Sequence, residues 1–267
     1  MSKIDKITIS TLQARKDAGE KFSVIAAYDA SFAKLIEEAG VDAILIGDSL
    51  GMVLQGHDST LPVSINDIAY HTRCVSAGCE NTMVIADLPF GSYNTWKETL
   101  TNSSTLMKAG ANMVKLEGGD KWVLENIDEL TKRGIPVCAH LGLTPQSVNA
   151  FSGFKIQGRE PDRAQQILQE AKEVEAAGAS MVVLECVPAS LANEITAAIN
   201  IPVIGIGAGN GTDAQVLVLY DMLGMYPRSP RFVKDFLVDN NSILGALQSY
   251  DTAVKNGTFP CEQHTFN

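Results

Sequence analysis

The sequence predicts a single α/β domain over residues 1–267, a (β/α)8 (TIM) barrel with a short N-terminal helix. Three observations carry this. Eight short apolar runs alternate with segments of helical periodicity, at about 33 residues per repeat, the spacing of βα units. The runs are rich in Val, Ile, Leu and Ala, as parallel strands buried on both faces are. The long connections, Ser49–Pro62, Leu88–Thr95 and Leu141–Pro161, all follow the C-terminal end of a run, where barrels carry their working loops, and the opposite joints are short. The rival architecture, a doubly wound open sheet, calls for a Gly-rich turn after the first strand. AAYDASFAK, which follows that strand here, has none.

In chain order, a helix near Ile9–Ala18 precedes the first strand, FSVIAAY. A helix over Ala30–Ala39 stops at Gly40, a good helix-ending residue because it tolerates the left-handed conformation, and AILIGD follows. Helices near Ile65–Ala77, Thr95–Ala109, Trp122–Arg133 and Arg163–Ala177 end at Gly78, Gly110, Gly134 and Gly178. They feed the strands TMVIAD, NMVKLE, PVCAH and SMVVLE. A helix near Ala189–Ala198 leads to IPVIGIGAG. QVLVLYDML is the eighth strand, and Arg231–Tyr250 supplies the terminal helices. Pro136 and Pro202 are expected at the first residue of a strand, where the missing N–H need not join the ladder.

Bulk properties restrict the partners. The net charge of −10 disfavours nucleic acid and anionic membranes, but leaves an anionic small substrate open, because local Lys or metal outweighs a global field. The five cysteines form no CxxC pair, and Cys138 and Cys186 lie in or beside apolar strands as small buried thiols. A reducing, cytoplasmic compartment is expected. MSKIDKITIS lacks the apolar segment of a signal peptide, and no stretch approaches the roughly 20 apolar residues of a membrane span.

Five of the strand candidates end in an ionisable residue: Asp48, Asp87, Glu117, His140 and Glu185. Charge at the end of a buried strand is costly unless paired, so its repetition on parallel strands marks the catalytic end of a barrel. Asp48, Asp87 and Glu117 close three consecutive strands spaced about 4.8 Å apart and are expected to converge. Three carboxylates there repel and raise one another's pKa. A hard divalent cation relieves this, and oxygen-only ligands suit Mg²⁺; the alternative is salt-bridging between neighbouring strands. Lys115 lies two residues before Glu117 and shares its inward face. It either pairs with Glu117 or Asp87 or binds a substrate carboxylate or enolate oxygen; Schiff-base chemistry is a further option that a metal makes redundant. Glu185 follows four apolar residues, a setting that raises a carboxyl pKa and suits a general base, unless it bonds a backbone amide or a lysine. His140 is a candidate hydrogen-bond donor to substrate or a supporting group. His57 and His71 carry little signal. GIGAGN (205–210) reads equally as a phosphate loop and as close packing at the barrel rim.

The segments AAYDASFAKL, IGDSLGMVLQGHDSTLPV, DIAYHT, ADLPF, AGANMVKLEGG, PVCAHLGLTPQSVN, KIQGR, VVLECVP and IPVIGIGAGN closely resemble the ketopantoate hydroxymethyltransferase family, and the resemblance runs over nearly the whole chain. It implies a barrel of the phosphoenolpyruvate/pyruvate type. It also implies the first committed step of pantothenate synthesis: hydroxymethyl transfer from 5,10-methylenetetrahydrofolate to 3-methyl-2-oxobutanoate, giving 2-dehydropantoate. By position it implies Asp48 and Asp87 as Mg²⁺ ligands with Glu117 as the third metal-site carboxylate. Asp48, Ser49, Asp87 and Lys115 would contact the 2-oxo acid, with Glu185 as proton acceptor. A large homo-oligomer, commonly a decamer, comes with the family. LGMYPRSPRFVKDF departs from the family pattern, which bears on loop detail and folate contacts. The competing readings are a metal-dependent 2-oxo-acid aldolase or lyase of the same barrel type that works without folate, and a non-catalytic binding barrel.

Overall fold

The computed structural model describes residues 6–267. Eight parallel strands close into a barrel in sequence order: β1 (Phe22–Ala26), β2 (Ala43–Ile46), β3 (Met83–Asp87), β4 (Met113–Glu117), β5 (Val137–Gly142), β6 (Met181–Glu185), β7 (Val203–Ile206) and β8 (Ala214–Val218). Around them run α1 (Ile9–Ala18), α2 (Ala30–Ala39), α3 (Leu50–Val53), α4 (Ile65–Ser76), α5 (Trp96–Lys108), α6 (Lys121–Thr131), α7 (Pro161–Ala176), α8 (Ala189–Ala198), α9 (Leu219–Met222) and α10 (Ile243–Lys255). All of β1 to β5 is buried, as strands between a filled interior and a ring of helices must be.

The helices form where caps and an apolar stripe coincide. In α2, the Asp29 carboxylate accepts from the N–H groups of Ser31 and Phe32, Gly40 ends the helix at φ +89°, and Ala33, Ile36 and Ala39 face the barrel. In α4 a reciprocal Ser64–Asp67 capping box does the same work.

The short helix α1 closes the N-terminal end of the barrel. Ile7 N donates to Asn81 O just before β3, and Arg15 pairs with Asp42 at 2.6 Å before β2. Gln13 donates to Asn200 O before β7, and Lys16 reaches Asp213 before β8 at 2.8 Å. With that end sealed, the open end is the one where the strands finish in Asp87, Glu117 and Glu185.

Three features differ from the sequence reading. QVLVLYDML is not one strand: β8 ends at Val218, and the chain turns into α9. Residues 231–242 hold no helix, and the terminal helix is Ile243–Lys255. Phe236 there is buried edge-on against Tyr250 and Phe259, so apolar spacing that suggested a helix instead anchors an irregular strap. Pro136 and Pro202 stand one residue before β5 and β7 rather than within them.

The GIGAGN glycines are explained by backbone and packing. Gly207 and Gly209 have φ of +61° and +74°, and a β-carbon at either would come within 3 Å of Phe232 or Ala189. The turn they make joins β7 to β8 without a helix, fastened where Gln215 Nε2 donates to Gly209 O at 2.9 Å. None of residues 207–210 lines the cavity described next.

Candidate active site

A cavity of about 790 Å³ opens at the C-terminal end of the strands. Asp48, Ser49, Asp87, Lys115, Glu117, His140 and Glu185 all line it, so every residue singled out from the strand ends reaches one space. The strand register explains the contacts. Asp87 is the cross-strand partner of Lys115, and Glu117 that of His140. His140 pairs with Val183, which places Glu185, two residues on, on the same inward face.

The resulting charges alternate. Lys115 Nζ lies 2.7 Å from Asp87 Oδ1 and 3.8 Å from Glu117 Oε1. His140 Nδ1 is 3.3 Å from Glu117 Oε1, and its Nε2 is 3.2 Å from Glu185 Oε2. The order is therefore carboxylate, ammonium, carboxylate, imidazole, carboxylate, with one break in the alternation: Lys115 Nζ and His140 Nδ1 also meet directly at 3.3 Å. Burial disfavours charge on His140, as does Lys115, but the carboxylates of Glu117 and Glu185 outweigh both and push its pKa up to about 9. Burial likewise works against the Lys115 ammonium, and Asp87, Glu117 and Asp48 more than reverse it, so Lys115 stays charged. The Glu117 carboxyl resists burial through His140, Lys115 and the Gln146 N–H and titrates below its usual range.

Asp48 and Asp87 are the strained members. Burial, and then the charges of Asp87 and Glu117, push the Asp48 carboxyl well above its ordinary range; Lys115 and Gln146 offset only part of this. Burial raises Asp87 too, against the pull of Lys115. Each carboxylate of the group has one oxygen held by the protein. Asp48 Oδ2 accepts from Gln146 Nε2 at 2.8 Å, Asp87 Oδ2 from Asp48 N at 3.3 Å, and Glu117 Oε2 from Gln146 N at 3.0 Å. Asp87 Oδ1, Glu117 Oε1 and His140 Nε2 are sealed from solvent with ion-pair contacts but no well-aligned hydrogen bond. The charge of the two carboxylate oxygens is met by Lys115 and His140, yet each keeps capacity for a further donor or cation.

The three carboxylates do not converge on one point as the strand spacing suggested. Among the described residues no three His, Cys, Asp or Glu side chains form a ready-made metal cage. The reason is local: Gln146 N–H and His140 engage Glu117, while Asp48 and Asp87 remain neighbours. Two carboxylates still suit Mg²⁺, which is usually held by one or two of them together with waters and substrate oxygens.

The sequence reading missed the groups that hold this arrangement. Gln146 sits in a buried 3₁₀ turn, Pro145–Ser147, and besides its bond to Asp48 it donates to Leu88 O and accepts from Tyr93 Oη at 2.7 Å. Tyr28 Oη is 2.7 Å from Ser49 Oγ, fixing the hydroxyl beside Asp48. Cys186, next to Glu185, has φ +48°, an uncommon conformation for a non-glycine residue that cluster at functional sites. His71, by contrast, packs in α4 with Nδ1 2.8 Å from Tyr28 O, a supporting position beneath the site.

Solved structures share the fold. Phosphoenolpyruvate phosphomutase from Streptomyces platensis subsp. rosaceus superposes with a TM-score of 0.63 at 15% identity, over 94% of this chain and 98% of that one. Phosphonopyruvate hydrolase, in a crystal described as a complex with oxalate and Mg²⁺, gives a TM-score of 0.59 at 16% identity, over 79% and 80%. At these identities the likeness shows a shared barrel fold. Sequence relatives are far closer. The 3-methyl-2-oxobutanoate hydroxymethyltransferases of Shewanella piezotolerans (strain WP3) and Shewanella oneidensis (strain MR-1) are each 58% identical over 265 residues, 99% of this chain and all of theirs. The family model for ketopantoate hydroxymethyltransferase matches residues 6–262, and the chain belongs to that family.

Proposed function

We propose that this enzyme joins a hydroxymethyl group to C3 of 3-methyl-2-oxobutanoate, giving 2-dehydropantoate for pantothenate synthesis, with 5,10-methylenetetrahydrofolate as the one-carbon donor. The family assignment supports the transferase reading. The observation that carries the mechanism is the alternating row Asp87–Lys115–Glu117–His140–Glu185 at the cavity floor.

Asp48 and Asp87 would hold Mg²⁺, with Glu117, engaged by the Gln146 N–H and His140, as a third carboxylate beside them. Bound there, the ion would act as a Lewis acid and template for the 2-oxo acid. The rest falls to the chain's own residues. Lys115, kept cationic by its neighbours, faces the substrate's carboxylate and keto oxygen. Ser49, steered by Tyr28, offers a hydroxyl beside Asp48. Glu185 removes the C3 proton, and its side chain, about 16% exposed, is the accessible end of the charge row. His140 would act as a positioning residue, its Nε2 in ion-pair contact with Glu185 and its Nδ1 shared between Glu117 and Lys115. Negative charge moves from Glu185 to the substrate oxygen, toward the Lys115 ammonium, a preorganised effect worth a few kcal/mol per donor. C3 then forms a bond to the methylene carbon; water supplies the hydroxyl oxygen as the carbon–nitrogen bonds to folate break, and tetrahydrofolate leaves.

The five cysteines are free thiols, which supports a cytoplasmic setting, and no helix among the described residues is long and apolar enough to cross a membrane. A homo-oligomer belongs to the same reading, supported by exposed aromatic side chains at Tyr70, Phe90, Trp96 and Trp122; light scattering on the purified protein tests it. The function is tested by turnover of 3-methyl-2-oxobutanoate with and without 5,10-methylenetetrahydrofolate. Product that forms only with the donor present is expected. Cleavage of other 2-oxo acids with no need for donor would establish the aldolase alternative.

A further inference from the structure

The cavity is much larger than a five-carbon 2-oxo acid needs; at about 790 Å³ it falls in the range of roughly 300–1,000 Å³ that encloses drug-sized ligands. Its floor and its far wall differ in character. The floor, at the ends of β2 to β6, carries the paired charges described above. The far wall is built from the β8 end and the C-terminal strap: Asp221, Tyr226, Phe232 and Phe266, with Arg231 at the rim. Phe232 and Phe266 meet edge-on at a centroid distance of 6.4 Å, and the Arg231 guanidinium lies 5.8 Å from the Phe266 ring. These are surfaces that take a flat aromatic heterocycle.

Asp221 is the one feature of this wall that folding does not account for. It is half-buried on α9 and lines the cavity, yet among the described residues its side chain makes no hydrogen bond and no ion pair. The other half-buried or buried carboxylates lining the cavity, Asp48, Asp87, Glu117 and Glu185, all have protein partners. Burial alone, with no compensating cation or donor, lifts the Asp221 carboxyl to about 6. Because β8 stands four strands from β4 in the closed barrel, Asp221 faces the Lys115–Glu117 group from across the mouth.

We propose that Asp221 selects the pterin head of the one-carbon donor, accepting paired hydrogen bonds from the ring N3–H and the 2-amino group while Phe232 and Phe266 border the ring. A carboxylate and an amidine-like N–H pair match as a bidentate fork, the geometry that makes such contacts strong and specific. A donor gripped at β8 would present its methylene carbon toward the middle of the cavity, between the pterin and the 2-oxo acid. This inference rests on the folate reading of the preceding section.

The test uses the full-length enzyme loaded with Mg²⁺ and compares wild type with Asp221→Asn and Asp221→Ala. Two assays are run: steady-state turnover against 5,10-methylenetetrahydrofolate and its 2-desamino-2-methyl analogue, and exchange of the C3 proton of 3-methyl-2-oxobutanoate into deuterated water without donor. Expected is a rise in KM for the natural donor of about 10-fold in Asn and about 100-fold in Ala, the loss of charge-assisted bonds. Wild type should prefer the natural donor over the analogue by a similar factor, and Ala should lose that preference. Exchange should stay within about twofold of wild type. A donor KM unchanged in both variants, or an exchange rate that falls together with turnover, overturns the assignment. Wild type that ignores the folate altogether overturns the donor reading itself, and the two failures are told apart by that control.

Discussion

His140 Nε2 stands 3.2 Å from Glu185 Oε2, and this contact ties the end of β6 to the acidic group at the ends of β3 and β4. It gives the proposed base a positive neighbour, while Glu117 on the other side of the ring keeps that neighbour charged. A carboxylate at the end of a buried strand would otherwise be free to bond the nearest backbone amide. The imidazole, itself placed by the register of β5 between its neighbours, prevents this.

Glu185→Gln retains the shape of the site but removes the proposed proton acceptor. Exchange of the C3 proton of 3-methyl-2-oxobutanoate into deuterated water, followed by NMR, should fall by about 10²–10⁴-fold, the usual worth of a positioned base. Binding of the 2-oxo acid should persist. Wild-type exchange in this variant would remove Glu185 from the chemistry.

His140 also gives the fold a pH dependence. Its folded pKa of about 9 lies above the ordinary 6.5, so the folded state holds this proton more tightly than the unfolded chain. The stabilisation is fully present below about pH 6.5 and is lost as pH rises through about 9, amounting to at most about 3 kcal/mol. Urea unfolding of the metal-free enzyme between pH 6 and 10 should show this fall, and His140→Gln should flatten it. An equally steep fall in the variant would assign the effect to another group.

Much of this site was legible in the sequence because parallel strands impose two simple rules. Apolar runs name the strands, and alternation puts Lys115 and Glu117 on one face, so the ionisable strand ends had to meet. The groups that hold them were not legible. Gln146 is a neutral amide in a turn after β5, and its bonds to Asp48 and Leu88 span 98 and 58 residues of chain. Asp221 was hidden inside QVLVLYDML, which reads as one strand because nothing in its composition marks the end of β8 before α9. Phe266 reaches the cavity only because the C-terminal segment folds back, its carbonyl accepting from Ala189 N at the start of α8. Each of these depends on contacts distant in sequence, which periodicity does not encode.

Asp48 should show function and stability opposed. Its folded pKa is raised above the unfolded value, so the carboxylate's contribution favours the fold only at low pH and is lost as pH rises through the folded pKa. At neutral pH, charge on Asp48 therefore works against the metal-free fold. Asp48→Asn is expected to raise Tm in the presence of a chelator while weakening Mg²⁺ binding by at least about tenfold, and Asp87→Ala should weaken it as well. Calorimetric titration and thermal scans with and without Mg²⁺ measure both. Unchanged metal affinity in both variants would leave the paired carboxylates without their proposed ion.

Gln146 should matter although it touches neither proton nor metal in the proposed scheme. Gln146→Leu removes the donor to Asp48 Oδ2 and the link from Asp48 to Leu88, while the Gln146 backbone N–H to Glu117 remains. Removing a group that orients a metal ligand typically costs about 10–100-fold in metal affinity. The expected signature is a higher Mg²⁺ requirement, with exchange and turnover recovering at saturating metal. A loss that no concentration of Mg²⁺ restores would place Gln146 in the chemistry instead.

Gly142 sets the last test, because it pairs with Glu185 across β5 and β6. Its φ is +88°, and a β-carbon built there would lie 2.3 Å from the Glu185 carbonyl oxygen and 2.8 Å from Val187 Cγ1. The obstacle is backbone, so it cannot be relieved by a side-chain rotation. Gly142→Ala must either leave the left-handed region or push β6 outward at the residue that carries the base. We expect a stability loss of about 1–3 kcal/mol from strain and a fall in kcat larger than the change in KM for the 2-oxo acid, since Glu185 moves while Asp48, Asp87 and Lys115 stay. Gly118→Ala serves as a comparison. It has φ +106°, but its added carbon would meet only Val123 Cγ2, at 3.3 Å. It should share the strain yet spare the base. Equal losses of kcat in the two variants would show that general loosening of the rim, and not displacement of Glu185, limits the reaction.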